Sequence, residues 1–434
     1  MRPISSPQTD PFRARGWLAA IFLLLTACSP QGAAAVLSTP TAATNPAVSP
    51  ALQTPQETAQ PPSVLRLWLP ASMRPDASSP GGILLADRIA AFEAAHPGLH
   101  VDVRIKAESG PGGLREMLGL TALAAPGALP DVVALDQSDL QAASLKHLVV
   151  PLDGSTLAIP AQPTWAMFAR SLSLINGTFV GLPFAGDCEI LVQTQPTTTS
   201  PILWTDLLGW HRNLYVPLAD PKAIFLLSDY LAAGGRLPGG LSEVSLSAPA
   251  LTSSLAWLLD LSHSGVLSAE SLQIASFNQA LGILETGGQG AIASYSGYAT
   301  ATRTRGDLSG SLPPTPEGQS FTLVTGWSWA MATSDPQRQQ LAIELIGWLS
   351  DPEFLGNWTR AQGVLPARLD ALSWWPTDAQ TQLARACLSA GVLYPSDEIL
   401  TTFAPVFSQA AQSVVTRRED PSQAAAAAVN SLRP

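Results

Sequence analysis

The residues best suited to chemistry in this 434-residue chain fall short of any familiar catalytic pattern. Five histidines (His96, His100, His147, His211 and His263) form no HExxH motif and no Cys/His cluster, so a metal site has no support and no cofactor is expected. Gly326-Trp327-Ser328-Trp329-Ala330 has the outline of a nucleophile elbow, but that motif needs a strand to turn into a helix at the serine. Here the residues after Ser328 continue as strand and the last motif position is Ala330, so Ser328 is not expected to be a nucleophile. The glycine loops at 110–113 and 287–290 lack the Lys and Ser/Thr of a phosphate-binding loop and read as turns. Carboxylates are plentiful, yet no spacing singles out an acid and a base, which leaves a glycosidase open only as the weaker alternative.

Binding chemistry is better represented. The aromatic set is Trp-heavy, with 12 Trp and 12 Phe against 5 Tyr, and Trp68, Tyr295, Tyr298, Trp327 and Trp329 sit at the ends of strand-like runs. Trp204, Trp257 and Trp348 read as core. At a strand end, flat aromatic faces can stack on sugar rings while short polar side chains such as Asp136, Gln137 and Asp187 take the hydroxyls.

The elements that must position these residues follow from periodicity. VLRLWL (64–69) alternates as a strand, residues 83–96 have helical apolar spacing that stops before Pro97-Gly98, and LHVDVRI (99–105) alternates again. A helix over 113–125, a short apolar strand over 131–135 and a helix through Lys146 extend this into a doubly wound sheet, whose ligands sit outside the carboxyl ends of its strands. Asn176-Gly177 between SLSLI and TFVGL predicts a hairpin. Helical runs follow over 224–233, 251–264 and 277–285, then strands over 290–295 and 321–333, and helices dominate from Gln337 to the alanine-rich end.

Taken in order, these segments resemble the family 1 extracellular solute-binding proteins of ABC importers, the class that includes maltose-binding protein. The matching stretches are ADRIAAFEAAHPGLHVDVRI (86–105), LPDVVALDQSDL (129–140), VPLDG (150–154), NGTFVGLPF (176–184), PILWTDLLGW (201–210), GGQGAIASYSGY (287–298), SDPQRQQLAIELIGWLSDPEF (334–354) and GVLPAR (363–368). One departure is Cys188-Glu189-Ile190-Leu191-Val192-Gln193, where the family usually has a Leu-x-Tyr-Asn run near its hinge. The resemblance implies an α/β, two-lobed periplasmic-binding-protein type II fold with an interlobe cleft and a helical C-terminus. Lobe 1 would comprise 64–184 plus 326–370, and lobe 2 would comprise 185–325 plus 371–434. It also implies a monomer that captures a small polar solute, such as an oligosaccharide, and docks closed on a membrane permease. The expected cleft residues are Trp68, Asp136, Gln137, Phe184, Asp187, Tyr295, Tyr298 and Trp327, joined by Asp220 and Lys222 from LADPK and by Arg368 from LPAR. An extracellular hydrolase and a sensing lipoprotein without transport remain as rivals.

The N-terminus supplies an address. Arg2, Arg13 and Arg15 precede an apolar run over 17–25 that is about half the roughly 20 residues needed to span a bilayer, which gives residues 1–28 the layout of a signal peptide. Leu25-Thr26-Ala27-Cys28 resembles a lipobox, so Cys28 is the expected lipidation site and membrane anchor. Residues 29–63, rich in Ala, Pro and Thr with Glu57 as their only charge, read as a disordered tether. The two remaining cysteines, Cys188 and Cys387, show no disulfide spacing and read more readily as buried free thiols than as a bridge. A formal charge of -10 leaves no basic surface for nucleic acid.

Overall fold

The computed structural model describes residues 63–157, 163–194, 202–210, 212–238 and 245–432, all within one compact body that starts at Gln60. The expected signal peptide, Cys28 and all of the tether except Ser63 lie outside the described residues.

The chain begins as its periodicity predicts: β1 (Ser63–Pro70), α1 (Pro80–Ala95), β2 (Leu99–Lys106), α2 (Leu114–Ala124), β3 (Val132–Asp136) and α3 (Gln137–Leu145). Each boundary has a local cause. The Ser79 hydroxyl accepts the Gly82 N–H at the start of α1, with Pro80 preset for the first turn, and Gly98 takes φ +87° where the chain reverses into β2. β1 lies parallel to β2 from Ser63↔Leu99 to Pro70↔Lys106, and parallel to β3 on its other side. The buried Asp131 just before β3 accepts the Arg66 N–H and pairs with Arg338, which ties this sheet to a later helix.

Next come α4 (Met167–Ser173), the short hairpin β4 (Leu174–Ile175) and β5 (Thr178–Phe179), and β6 (Leu182–Thr194). Asn176-Gly177 makes the predicted turn, both residues with positive φ, but Ser171–Ser173 of the expected first arm finish α4 instead. Phe168 and Leu172 bury one face of that helix against the sheet, and this packing overrides the alternation of SLSLI.

The second half of the molecule holds α5 (Trp204–Leu208), β7 (Leu214–Tyr215), α6 (Ile224–Ala232), α7 (Ala248–His263), α8 (Phe277–Glu285), β8 (Gly290–Ser294), α9 (Tyr295–Ala301) and β9 (Leu308–Ser311). The chain then returns through β10 (Thr322–Met331) to α10 (Pro336–Leu349), α11 (Pro352–Gln362) and β11 (Leu365–Pro366). It ends in α12 (Ala379–Ala390), β12 (Gly391–Leu393), α13 (Asp397–Val415) and α14 (Pro421–Ser431). The strand order β2-β1-β3-β10-β6-β8-β7 places β10 and β6 at the middle, as the two strands shared by both halves.

The crossing is built from small residues. β6 and β10 are antiparallel, with Gly186 opposite Gly326 and a register shift between Trp327 and Ser328. A Cβ on Gly186 would stand 2.7 Å from the Phe168 ring, and one on Gly326 3.0 Å from the same ring. Only glycine at both positions lets α4 lie directly on the crossing. Of two apolar cores, one joins β1–β3, α1, α4, α10 and α11 through the crossing strands to α8, α9 and α12, and the other joins α5–α7 with α13 and α14.

Candidate functional site

Two adjoining cavities of about 180 and 280 Å³ open at the crossing and share Thr325 and Tyr394. On one wall, β3 hands over to α3. The Asp136 carboxylate accepts the Asp139 N–H at 2.7 Å and so caps the helix, which fixes Asp136, Gln137 and Ser138 at the mouth. Burial raises the Asp136 carboxyl above its usual range and, with the Asp136 charge as the next cause, pushes Asp139 up to about 6.

The floor comes from β10 and β6. Thr325 and the half-buried Trp327 line the space from β10, and Asp187 lines it from β6. Asp187 accepts the N–H of Cys188 and of Ser296, both at 2.9 Å, together with the Ser296 hydroxyl. Burial pushes it up to about 6 against the lowering effect of those bonds. The opposite wall carries Lys222, Phe277, Ser296, Tyr394 and Asp397.

Two contacts cross the space, and a third braces its far wall. Gln137 Nε2 donates to the Tyr394 carbonyl at 2.7 Å, the Ser138 hydroxyl donates to Asp397, and Lys222 Nζ stands 3.6 Å from Asp397 on the far side. Gln137 is only 5% exposed, and its buried Oε1 has no protein partner. The site therefore offers acceptors (Asp136, Asp187), hydroxyls (Ser138, Thr325, Ser296), one ammonium and aromatic surface from Trp327, Tyr394 and Phe277. This set is suited to holding a polyhydroxylated molecule. Among the described residues no group of three or more His, Cys, Asp or Glu could hold a metal.

Of the residues expected at the cleft, Asp136, Gln137, Asp187, Lys222 and Trp327 come together there. Asp220 stands behind them: its carboxylate accepts the N–H of Lys222 and of Ile224, both at 3.0 Å, and shapes the loop that presents Lys222. The other five lie elsewhere. Trp68 is buried in the sheet core beneath the Lys106 ammonium, 4.3 Å from its ring. Phe184, fully buried, stacks on Trp329 with centroids 4.1 Å apart. Tyr295 and Tyr298 point into the core, the latter against Gly310. Arg368 forks onto Asp370 and lies over Trp165, away from the crossing. For the four aromatic residues apolar area gains more from the core than from a hydrated cleft, and packing prevails over stacking; Arg368 is held by its carboxylate partner. Ser138, Thr325, Ser296, Tyr394 and Asp397 were missed. The one signal for the last two was Tyr-Pro-Ser-Asp-Glu (394–398), a helix start with Ser396 as cap and acids in its first turn.

The sequence of residues 87–383, more than half of the chain, matches the family model of bacterial extracellular solute-binding proteins. The chain belongs to this family of extracellular solute-binding proteins. No curated protein matches its sequence. Among solved structures it is similar to the cyclic α-maltosyl-1,6-maltose binding protein of Arthrobacter globiformis (TM-score 0.69, 14% identity, covering 86% of this chain and 98% of that one). It is also similar to the sugar-binding protein MalE of Xanthomonas citri (0.67, 19%, 85% and 96%) and to the maltotriose-binding protein of Thermus thermophilus (0.61, 14%, 85% and 98%). At these identities the likeness establishes the fold: two α/β lobes of the type II periplasmic binding class, as the sequence predicts. The family is extracellular, and no helix among the described residues is long and apolar enough to cross a membrane.

Proposed function

We propose that this solute-binding protein captures a carbohydrate, most simply a short oligosaccharide, between its lobes and delivers it unchanged to an ABC permease. The observation that carries the reading is the cleft at the β6/β10 crossing. It combines carboxylate acceptors, several hydroxyls and the Trp327 face, and it is roofed by contacts from both sides. Structural neighbours named for maltose-type sugars support the ligand class. Closure would proceed about Gly186 and Gly326, where residues 64–184 with 326–370 meet 185–325 with 371–434, and a ligand shifts that equilibrium only by as much as it binds the closed form better.

In this reading Cys28 bears the lipid that holds a monomeric body at the outer face of the membrane. Cys28→Ala should release the protein into the medium or periplasm, and a variant that stays membrane-bound after a high-salt wash would refute the anchor. The binding reading is tested by a thermal-shift screen of linear and cyclic oligosaccharides, followed by calorimetry and product analysis on the hits. A sugar that raises the melting temperature and is recovered intact supports capture. Steady product formation that survives repurification would make the protein a hydrolase instead.

A further inference from the structure

The crossing strands have a second face, away from the cleft. Side chains alternate along a strand. Asp187 and Thr325, paired across β6 and β10, face the cleft, whereas the neighbouring pair Gly186 and Gly326 faces the Phe168 ring of α4 on the other side. Beside α4 lies an open groove of about 400 Å³. Met167 and Arg170 of α4 line it on one side, Arg385 and Leu388 of α12 on the other, with Trp165 and Leu369 from two segments joined by the Leu369 N–H donating to the Thr164 carbonyl at 2.7 Å. Met167 is 66% exposed, so apolar surface is left uncovered there. Among the described residues no acid lines the groove, although acids outnumber bases 33 to 23 in the chain. Arg385 is exposed and makes no ion pair among the described residues, while Arg368 nearby is taken by Asp370. A guanidinium forks onto a carboxylate, and a mostly apolar recess with a few fixed polar groups is the usual form of a small-molecule site. The groove therefore suits a carboxylate on a hydrocarbon chain.

We propose that this groove binds a medium-chain carboxylate, and that its occupancy favours the closed cleft. The second half of the proposal rests on closure about Gly186 and Gly326 as read above. The two walls then belong to different lobes. α4 precedes the crossing, whereas α12 packs on the second half of the molecule, where a Cβ on Gly310 of β9 would stand 2.7 Å from Leu383 Cδ2. α12 also runs through β12 into Tyr394, whose carbonyl accepts Gln137 Nε2 in the cleft. Lobes that pivot on the crossing open behind as they close in front. A chain seated between α4 and α12 therefore binds the closed form better, and it shifts the equilibrium by that difference in affinity.

The test titrates the full chain carrying Cys28→Ala with decanoate, below its micelle concentration and without sugar, by calorimetry. The expected result is saturable one-to-one binding. Arg385→Glu should weaken it roughly tenfold or more, the loss of one charge-assisted contact. Met167→Glu, at the exposed apolar lip, should weaken it as well, and neither variant should change the melting temperature of the free protein. Absence of saturable binding, or binding that both variants retain at full strength, would overturn the site. Small-angle scattering in the same buffer tests the coupling: saturating decanoate should lower the radius of gyration of the parent chain and leave that of Arg385→Glu unchanged. Binding that depends on Arg385 but leaves the radius unchanged would overturn the coupling alone. A sugar from the screen that lowers the radius without decanoate would show, independently, that the hinge reading holds.

Discussion

Two strand-to-helix junctions face the same cleft and treat their side chains in opposite ways. At β3–α3 the cap is Asp136, which accepts the Asp139 N–H; at β8–α9 it is Ser294, whose hydroxyl accepts the Gly297 N–H at 3.1 Å. The first and fourth helical residues share a face. In α3 these are Gln137 and Leu140, and the amide lines the cavity and reaches the Tyr394 carbonyl while the leucine is buried. In α9 they are Tyr295 and Tyr298, and both rings sink into the core, which leaves Ser296 to reach Asp187. Position at a strand end brings a residue near the site, and the balance of apolar area against hydrogen-bonding need decides whether it faces ligand or core.

The largest effect that sharpens this comparison is on stability. Tyr295→Ala should destabilise the protein by about 3–5 kcal/mol, the cost of deleting a large buried ring, whereas Gln137→Ala should cost about 1 kcal/mol. Chemical denaturation of the two variants side by side checks it, and comparable losses would erase the distinction between the junctions.

A second effect concerns Asp187, which bridges the floor to the α9 junction. Its carboxyl is raised from 3.8 to about 6, so the folded protein holds a proton that the unfolded chain has released. Stability should therefore fall as pH rises from about 4 to 6, by about 2–3 kcal/mol for this group, and the loss is complete above that window. Asp187→Asn should flatten that part of the profile. A wild-type stability curve measured by denaturant titration that instead climbs through this window, unchanged by the substitution, would contradict the assignment.

The smallest effect lies across the cleft. Asp397→Ala removes the acceptor for the Ser138 hydroxyl and the partner of Lys222, both partly exposed. The loss should be under about 1 kcal/mol, enough to raise the open population. Small-angle scattering of the ligand-free variant should show a larger radius of gyration than wild type, and identical curves would remove these contacts from the closing equilibrium.

Much of the architecture was legible in the sequence because long apolar periods and Pro-Gly breaks mark it. The run from β1 to α3 and the helices α6 to α8 fall within a few residues of their predicted spans. The misreadings are short or ambiguous elements. β12 has three residues and β7 two, too few to carry a period, yet β12 delivers Tyr394 to the cleft. Tyr295 is predicted to end the strand over 290–295 but begins α9, because the Ser294 cap turns the chain there. At the site, the polar residues after β3 were recoverable because their type and place agree. The aromatic ones were not, since Trp68, Phe184 and Tyr298 have the same composition-level signature as Trp327 and differ only in what packs around them.

That difference gives the most direct measurement: calorimetry of a carbohydrate identified by the screen against wild type, Trp327→Ala and Tyr298→Phe. A stacking face in a closing cleft contributes about 1–3 kcal/mol if interface hot spots are a guide. Trp327→Ala should therefore bind roughly tenfold or more weakly, with the melting temperature of the free protein little changed, while Tyr298→Phe binds as wild type does. Unchanged affinity in Trp327→Ala, or a loss confined to Tyr298→Phe, would place the sugar somewhere other than the β6/β10 crossing.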